Sequence, residues 1–300
     1  MSEHRQTVGL TGSSGLIGQA LKAELLKRGF TVRCFVRHSP RTADEIECHP
    51  QEHRVSLNDS DRFDAIVNLA GEPIIGRWTK AKRTRIRSSR VDGTQLLSRR
   101  IAEFDQNCTF ISASAIGIYG VDAHEWHHEA SPLGDGFLAD VCKEWEMAAQ
   151  LARDSGHRVV HPRIGLVLAT HGGALGKMLP AFRMGLGGPV GSGDQWNSWI
   201  TLEDLIGIFV RCIEDDRIPG PVNCVAPTPV QNRDFARILG QQLNRPAFFP
   251  VPKFGLRMAL GEMAEQTLLA SQRVEPRLLS TLGHEFCSPT LSEGFKALFN

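Results

Sequence analysis

Short apolar runs alternate with amphipathic stretches through the first half of the chain. The run Thr7–Thr11 leads through a glycine-rich turn into a stretch whose leucines recur at helical spacing, and this stretch ends at Gly29. A second apolar run, Thr31–Val36, follows directly. A strand, a helix and a strand of these lengths predict a parallel crossover unit.

Three later apolar runs predict further inner strands of the same sheet, at Asp64–Gly71, Cys108–Gly120 and Arg158–Leu168. Beyond the last of them the composition shifts to glycine-rich loops. We therefore predict an α/β fold, a doubly wound Rossmann-type parallel sheet with a second, smaller C-terminal substrate domain. The predicted boundaries are 1–167 for the nucleotide-binding domain, with part of 198–226 packing back on it, and 168–300 for the substrate domain.

The C-terminal part has helical periodicity of its own. A helix near Leu202–Ile213 is predicted to pack on the first domain, and a helix at Asn232–Leu243 is predicted to be capped by its first residue. A longer helix is predicted at Phe254–Gln272, with Met258 and Met263 on its apolar side. These methionines are interpreted as core, with an adaptable apolar pocket as the alternative.

The first crossover carries three glycines in the pattern G-x-x-G-x-x-G. A diphosphate binds where backbone N–H groups at a helix N-terminus point at it and no side chain blocks its approach. A tight turn without a ligand is the alternative interpretation. The predicted diphosphate contacts are the residues of this turn, Gly12, Ser13, Ser14, Gly15, Leu16, Ile17 and Gly18.

The residues after the second strand favour a phosphorylated dinucleotide. An NAD site carries an acid about 20 residues beyond the glycines, whereas an arginine there accommodates the 2′-phosphate of NADP. Arg37 and His38 occupy this place, with Arg41 close behind. We therefore predict NADP(H) as the cofactor, bound by Arg37 and His38. A solvated charge at the end of a strand is the alternative for Arg37.

A strongly basic stretch, Arg77–Arg100, is predicted to be a helix. Most of its cations are interpreted as a solvated face. Arg85 and Arg90 are predicted to point at the cofactor's phosphates, because guanidinium groups match phosphate geometry. A nucleic-acid surface is the weaker alternative, since the rest of the chain is not basic.

The run after Cys108 brings Ser112 and Ser114 to the active edge of the predicted sheet, followed by Tyr119, the only tyrosine in the chain. In this order, with the glycine turn and Asn68-Leu-Ala-Gly71 before them, the motifs resemble an extended short-chain dehydrogenase/reductase. This branch includes the nucleotide-sugar epimerases. The sequence is most similar to the "epimerase family protein" group, which carries a small C-terminal domain of unknown function.

The motifs that carry the resemblance run nearly end to end. They are Thr11-Gly-Ser-Ser-Gly-Leu-Ile-Gly18, Asn68-Leu-Ala-Gly-Glu72, Arg77-Trp78, Ser89-Arg-Val-Asp-Gly-Thr94, Ser112-Ala-Ser-Ala115, Cys142-Lys-Glu-Trp-Glu146, Leu186-Gly-Gly-Pro189, Ser198-Trp-Ile200, Pro221-Val-Asn223 and Arg245-Pro246. The resemblance implies cofactor contacts at the ends of the inner strands, from Leu69, Ala70, Gly71, Glu72, Ser112, Arg163, Ile164 and Gly165.

The resemblance also implies a chemistry. A serine positions the substrate oxygen, a tyrosine removes its proton, and a lysine four residues later holds the nicotinamide ribose and lowers the tyrosine pKa. Ser114 matches the serine and Lys143 the lysine, so Lys143 is predicted both as a catalytic residue and as a cofactor contact. Ala139 stands at the tyrosine position and cannot transfer a proton. Three other groups stay open for the proton transfer: Tyr119, Ser114 acting through water, or Cys142 as an acid.

Two functions are consistent with this pattern. The first is an NADP(H)-dependent oxidoreductase or epimerase that acts on a small-molecule carbonyl or alcohol. The second is a catalytically silent NADP(H)-binding protein that senses redox state or binds a partner, which Ala139 favours.

The predicted substrate loop departs from the nucleotide-sugar epimerases. Those enzymes carry a phosphate-clamping arginine about where Asn197 stands, and here Trp196 and Trp199 flank that position. An apolar or aromatic wall is therefore predicted, which disfavours a sugar nucleotide. Burial of both tryptophans in the core is the alternative.

The net charge is only +1, which gives no global indication of a nucleic-acid or membrane partner. The seven cysteines form no C-x-x-C pair, which predicts a reducing compartment without structural zinc, and we expect a cytoplasmic protein. His124–Glu129 lacks the spacing of a helical zinc motif and is predicted to be a mobile loop near the substrate entrance, with no metal. Homodimerisation stays open.

Overall fold

The computed structural model describes residues 5–58 and 60–299, with the backbone alone for 122–124. Its strands are β1 (Thr7–Thr11), β2 (Thr31–Val36), β3 (Glu45–His49), β4 (Arg54–Val55), β5 (Ala65–Asn68), β6 (Thr109–Ser112), β7 (Ser114–Ala115), β8 (Asp122–His127), β9 (Val159–Ile164), β10 (Leu166–Leu168), β11 (Trp196–Asn197), β12 (Trp199–Thr201), β13 (Gly220–Cys224), β14 (Val230–Gln231) and β15 (Ser271–Val274).

The α-helices are α1 (Leu16–Lys27), α2 (Lys80–Ile101), α3 (Phe137–Met147), α4 (Gln150–Asp154), α5 (Gly173–Arg183), α6 (Leu202–Glu214), α7 (Asn232–Gln242), α8 (Lys253–Leu260), α9 (Arg277–Thr281) and α10 (Leu291–Phe299). Short 3₁₀ turns lie at Pro50–Glu52 and Ile116–Tyr119, and a π-helical turn lies at Ala264–Leu268. Of the helices in the described ranges, none is both long and apolar enough to cross a membrane.

The central sheet confirms the predicted doubly wound fold. Within the described residues its order is β13-β9-β6-β5-β1-β2-β3-β4, with β7 also paired to β9. Neighbouring strands run parallel except β3 and β4, which are antiparallel. The winding reverses between β1 and β5, and in open parallel sheets ligands bind at such a reversal, beyond the carboxyl ends of the strands.

Both faces of the sheet are covered by helices. On one face, Leu21 of α1 and Phe209 of α6 pack against Val8 and Leu10 of β1. On the other face, α2 and α4 pack against Phe110 and other buried residues of the inner strands. The strands are therefore buried on both sides, which explains why they are apolar throughout and not alternating.

The C-terminal part adds a smaller core and also completes the sheet. Trp199 is fully buried in this core, packed with residues of α5, α7 and α10. Strand β13 joins the central sheet beside β9, and α6 packs against α1. Residues 202–224 therefore belong spatially with the first part of the chain.

Three local predictions are corrected by the structure. His124–Glu129 is not a loop, because β8 covers most of it and pairs with β15. Phe254–Gln272 is not one helix, because Gly261 adopts φ +62° and ends α8. Asn232 does not cap α7. Gln231 is the capping position, and the Asn232 side chain instead accepts a hydrogen bond from the Val190 amide at 2.7 Å.

Replacing Gly18 by alanine should destabilise the fold, because a Cβ there would lie 2.2 Å from the carbonyl oxygen of Gly12. The glycine turn would have to move away from α1, at a cost of about 1–3 kcal/mol. Denaturation by guanidinium chloride measures the change in the free energy of unfolding.

The matched control is Gly207→Ala in α6, where an added Cβ meets nothing within 4 Å. Alanine is the better helix former by about 1 kcal/mol, so this variant should be as stable as the wild type or more stable. Equal losses in both variants would contradict the packing explanation.

Candidate functional site

A cavity of about 480 Å³ lies where the sheet order reverses. The glycine turn forms one side, the ends of β5, β6 and β7 form the floor, and α3 with the segment after β9 forms the other side. Its lining is mostly apolar. The residues are Gly12, Gly15, Leu16, Ile17, Gly18, Leu69, Pro73, Ile74, Arg90, Ala113, Ser114, Ala115, Gly117, Leu138, Val141, Cys142, Trp145, Ile164, Gly165, Leu166, Val167, Gly173 and Ala174.

The glycine turn is held close to the end of β5. Gly12 adopts φ +67°, and a Cβ on it would lie 2.8 Å from the backbone of Leu69. The Thr11 hydroxyl ties the two strands together, because its oxygen accepts hydrogen bonds from the amides of Leu69 and Ala70 at 3.0 and 3.1 Å. Gly15 precedes α1 without a side-chain cap, which leaves N–H groups of the first turn available to an external acceptor.

Arg90 brings a positive charge into the cavity. Its guanidinium donates to the carbonyl oxygens of Glu72 and Ile86 at 3.1 and 3.0 Å and lies 5.1 Å from the centre of the Trp145 ring. Burial lowers the pKa of Arg90, and among the described residues no carboxylate forms an ion pair with it. A half-buried cation without such a partner is suited to an anionic ligand.

Ser114 lies at the cavity floor and is tied to a buried ion pair. Its hydroxyl donates to Oε1 of Glu146 at 2.8 Å, and Arg163 binds both oxygens of the same carboxylate at 2.9 Å. Burial alone would raise the pKa of Glu146, but the hydrogen bonds and charge of Arg163 outweigh it and hold that pKa below its ordinary value. Ser114 is therefore hydrogen-bonded to an ionised carboxylate.

Tyr119 lies behind this ion pair and does not line the cavity. It is 4% exposed, donates to Oδ1 of Asn223 at 2.8 Å and accepts from Arg163 at 2.9 Å. Burial raises its pKa despite the neighbouring guanidinium. The structure thus gives Tyr119 a role in a buried polar network, contrary to its predicted place among the catalytic residues.

Helix α3 turns a different face to the cavity from the one that the motif predicts. Leu138 and Cys142, four residues apart, line the cavity, whereas Ala139 packs in the core. Lys143 lies on the outer side of the helix, where its ammonium contacts Asp140 at 3.3 Å. Burial raises the pKa of Cys142 to about 11, so this thiol is a poor acid at neutral pH.

The other predicted contacts lie at different distances from the cavity. Ala70, Gly71, Glu72 and Arg163 lie next to lining residues, while Ser112 is fully buried beneath the floor, 3.4 Å from the Thr94 hydroxyl. Arg85 is over half exposed and reaches Glu72, away from the cavity. Ser13 and Ser14 lie in the turn itself, and Arg37 and His38 are exposed just beyond β2.

The two tryptophans of the predicted wall have different surroundings. Trp199 is core, with its indole N–H donating to the Thr228 carbonyl at 3.0 Å. Trp196 and Trp126 each stack on the Arg273 guanidinium at 4.2 Å. Neither predicted residue, nor Asn197 between them, lines the cavity, so its apolar wall comes from α3 and the segment after β9.

Among the described side chains, which do not include that of His124, no group of three histidine, cysteine or acidic residues is arranged to hold an ion.

Comparison with known proteins assigns the chain to a family. Residues 8–224 match the NAD dependent epimerase/dehydratase family, and residues 251–298 match a domain of unknown function, DUF1731. The chain belongs to the NAD-dependent epimerase/dehydratase family. An epimerase family protein of Mycobacterium tuberculosis is 39% identical over 287 residues, with 95% of each chain covered.

Two solved structures of family members are similar over nearly the whole chain. The human epimerase family protein SDR39U1, crystallised with NADPH, has a TM-score of 0.89 at 34% identity, covering 98% of this chain and 99% of that one. A nucleoside-diphosphate sugar epimerase of Corynebacterium glutamicum has a TM-score of 0.78 at 37% identity, covering 97% of this chain and 57% of that one. The recognised group and the fold are thereby confirmed.

Glu146 is the site residue that the sequence reasoning missed. It stands four residues after Cys142 and eight after Leu138, so all three share one face of α3. This spacing was readable from the sequence. The error lay in taking Ala139 and Lys143 as the inward face of the helix.

Glu146→Gln should destabilise the protein at neutral pH by about 3 kcal/mol, because it leaves the charge of Arg163 buried without a counter-ion. The lowered pKa of Glu146 means that the ion pair stabilises the fold fully above the carboxyl's ordinary value of 4.5. That contribution disappears as the pH falls through the lower pKa of the folded state. The stability difference between variant and wild type should therefore shrink in acid.

Guanidinium denaturation across this pH range provides the measurement. Glu144→Gln is the control, because its pair with Arg87 lies on the surface and should contribute less than about 1 kcal/mol. A loss at Glu146 no larger than at Glu144, or one independent of pH, would contradict the assignment.

Proposed function

We propose that this protein binds NADP(H) along the cavity and transfers hydride between the nicotinamide and a small-molecule carbonyl or alcohol. The observation that carries the proposal is that one cavity contains the glycine turn, the half-buried Arg90 and the Ser114 hydroxyl. The NADPH in the crystals of SDR39U1 supports this choice of cofactor.

The residues present fit a dinucleotide. Gly12, Gly15 and Gly18 all line the cavity and carry no side chain that would block a diphosphate from the backbone of the turn. The first turn of α1 and the Arg90 guanidinium would hold the diphosphate. Arg37 would hold the 2′-phosphate, since among the described residues it has no hydrogen-bond or ion-pair partner and lies exposed beyond β2. Ile164 and Gly165 would line the nicotinamide end.

The chemistry that the cofactor supplies is addition of hydride to a carbonyl carbon, or its removal from an alcohol carbon. Ser114 and Glu146 would transfer the proton of the substrate hydroxyl. In the oxidative direction the substrate hydroxyl gives its proton to Ser114 Oγ while Ser114 gives its own to Glu146 Oε1, 2.8 Å away. In the reductive direction both transfers reverse, and because Glu146 is ionised at neutral pH, the proton that it passes to Ser114 would first come from solvent.

The apolar cavity wall favours a substrate that has fewer polar groups than a sugar nucleotide. Leu138, Val141 and Cys142 line the cavity from α3, and Leu166 and Val167 line it from β10. Such a wall selects by shape and desolvation more than by hydrogen bonding.

A silent NADP(H)-binding sensor is the second candidate function. The observation that favours it is the inward face of α3, where Leu138 and Cys142 stand four residues apart and neither is an effective proton donor at neutral pH. The two functions differ in one measurable respect, turnover.

Arg37→Ala should weaken NADPH binding about tenfold and leave NADH binding unchanged, because only NADPH carries the phosphate that Arg37 would neutralise. Titration calorimetry with both cofactors measures this. Arg28→Ala, at the far end of α1, is the control and should change neither affinity. Equal affinity of the wild type for both cofactors would contradict the assignment of Arg37.

Ser114→Ala should lower turnover at least about tenfold while NADPH affinity stays within about twofold. Oxidation of NADPH is followed by absorbance with a panel of apolar aldehydes, ketones and quinones. Cofactor binding by the wild type without turnover on the panel would favour the sensor. Turnover unaffected by Ser114→Ala would remove this hydroxyl from the mechanism.

A further inference from the structure

One surface of the C-terminal part exposes large apolar side chains that a folded core would normally bury. Its members are Met184, Leu186, Phe248, Phe249, Phe254 and Met258, which we call the apolar patch. They are between 47% and 72% exposed. Exposed apolar residues are common singly, but a contiguous set of this size marks an interaction surface.

The members of the apolar patch come from two segments that run side by side. The Phe249 amide donates to the Gly187 carbonyl at 3.3 Å, and the Arg245 guanidinium donates to the Arg183 carbonyl at 2.9 Å. The rings of Phe248 and Phe249 lie 4.5 Å apart. The two segments stay paired as far as Val190 and Val251, just before α8, so the members of the patch follow one pair of neighbouring segments.

Helix α8 belongs to this surface and not to the core. It has no buried residue, and Phe254 and Met258 stand four residues apart on one side of it. A helix of eight residues gains little stability by itself, so burial of this side against something else would stabilise it.

The charged residues of the two segments that form the apolar patch are all basic. Residues 183–191 and 244–258 contain Arg183, Arg245, Lys253 and Arg257 but no aspartate or glutamate. Arg257 is paired with Glu265, whereas within the described chain the other three have no carboxylate partner. The near-zero net charge of the whole protein conceals this local excess.

A groove at the edge of the apolar patch is also lined by both apolar and basic side chains. It measures about 530 Å³ and is lined by Arg237, Arg245, Asn244 and Phe248, with the backbone of Gly240 at its floor. Arg237 is already paired with Asp234, so Arg245 is the cation free to meet an incoming phosphate.

We propose that this surface docks on an anionic membrane. Phenylalanine and methionine side chains would enter the boundary between headgroups and acyl chains, and Arg183, Arg245 and Lys253 would face anionic lipid phosphates. A symmetric contact with a second copy is disfavoured, because it would bring like charges together. A purely apolar partner would leave the charges of Arg183, Arg245 and Lys253 without an anionic partner.

Co-sedimentation with lipid vesicles tests the proposal. The full-length protein should sediment with vesicles of equal parts phosphatidylglycerol and phosphatidylcholine, not with phosphatidylcholine alone, and added salt should release it. Arg245→Glu should lower the partition coefficient at least fivefold, and the double variant Phe254→Ser/Met258→Ser about tenfold.

Two matched controls separate this surface from general effects. Met147 has the same 65% exposure as Met258 but lies on α3, so Met147→Ser should leave sedimentation unchanged. Arg28→Glu is the charge control. Thermal unfolding verifies that every variant is folded.

Each remaining outcome would overturn the proposal. The first is that the wild type does not sediment with anionic vesicles, and the second is that it binds neutral vesicles equally well. The third is that the control variants lose as much vesicle binding as the patch variants. Sedimentation velocity adds one more: a dimer of the free protein that the double variant dissociates would assign the apolar patch to a second copy of the chain.

Discussion

The site depends on how closely two pieces of backbone approach each other at the reversal of the sheet. Gly12 lies against the end of β5, and Gly18 lies so close to Gly12 that neither position has room for a side chain. The Thr11 hydroxyl fixes the spacing by accepting two amides from the neighbouring strand. This contact sets the direction of α1 and opens the cavity at its first turn, so the remaining site residues are positioned relative to it.

A second constraint lies across the cavity, where the Glu146–Arg163 pair is buried beneath Ser114. A buried ion pair is expensive to desolvate, and here Arg163 also donates to Tyr119 and to the Glu129 carbonyl, while Glu146 also accepts from Ser114. The network fixes the hydroxyl of Ser114 toward a carboxylate. Among the side chains of the described cavity lining, that hydroxyl is the one that donates a hydrogen bond to a carboxylate.

The sequence predicted the parallel strands and α1 closely, because buried parallel strands are continuous apolar runs and the glycines mark the turn. It predicted the edge at which the site lies for the same reason. It failed at α3, where motif spacing gave the right helix but the wrong face. Ala139 packs in the core, and Leu138 and Cys142 line the cavity instead. The single helix predicted at Phe254–Gln272 was also wrong. The apolar periodicity continues past Gly261, although the positive φ of that residue ends α8.

Strand β13 has a consequence for how the chain can be divided. It occupies an outer position of the central sheet, yet more than fifty residues separate it from its partner β9. Val222 and Cys224 of β13 are fully buried in the core beneath α6. A fragment that stopped at residue 167 would lack both elements, expose the edge of β9 and leave a hydrophobic face open. We therefore expect the nucleotide-binding half to need residues 202–224 for its stability, even though they follow the predicted boundary at residue 167.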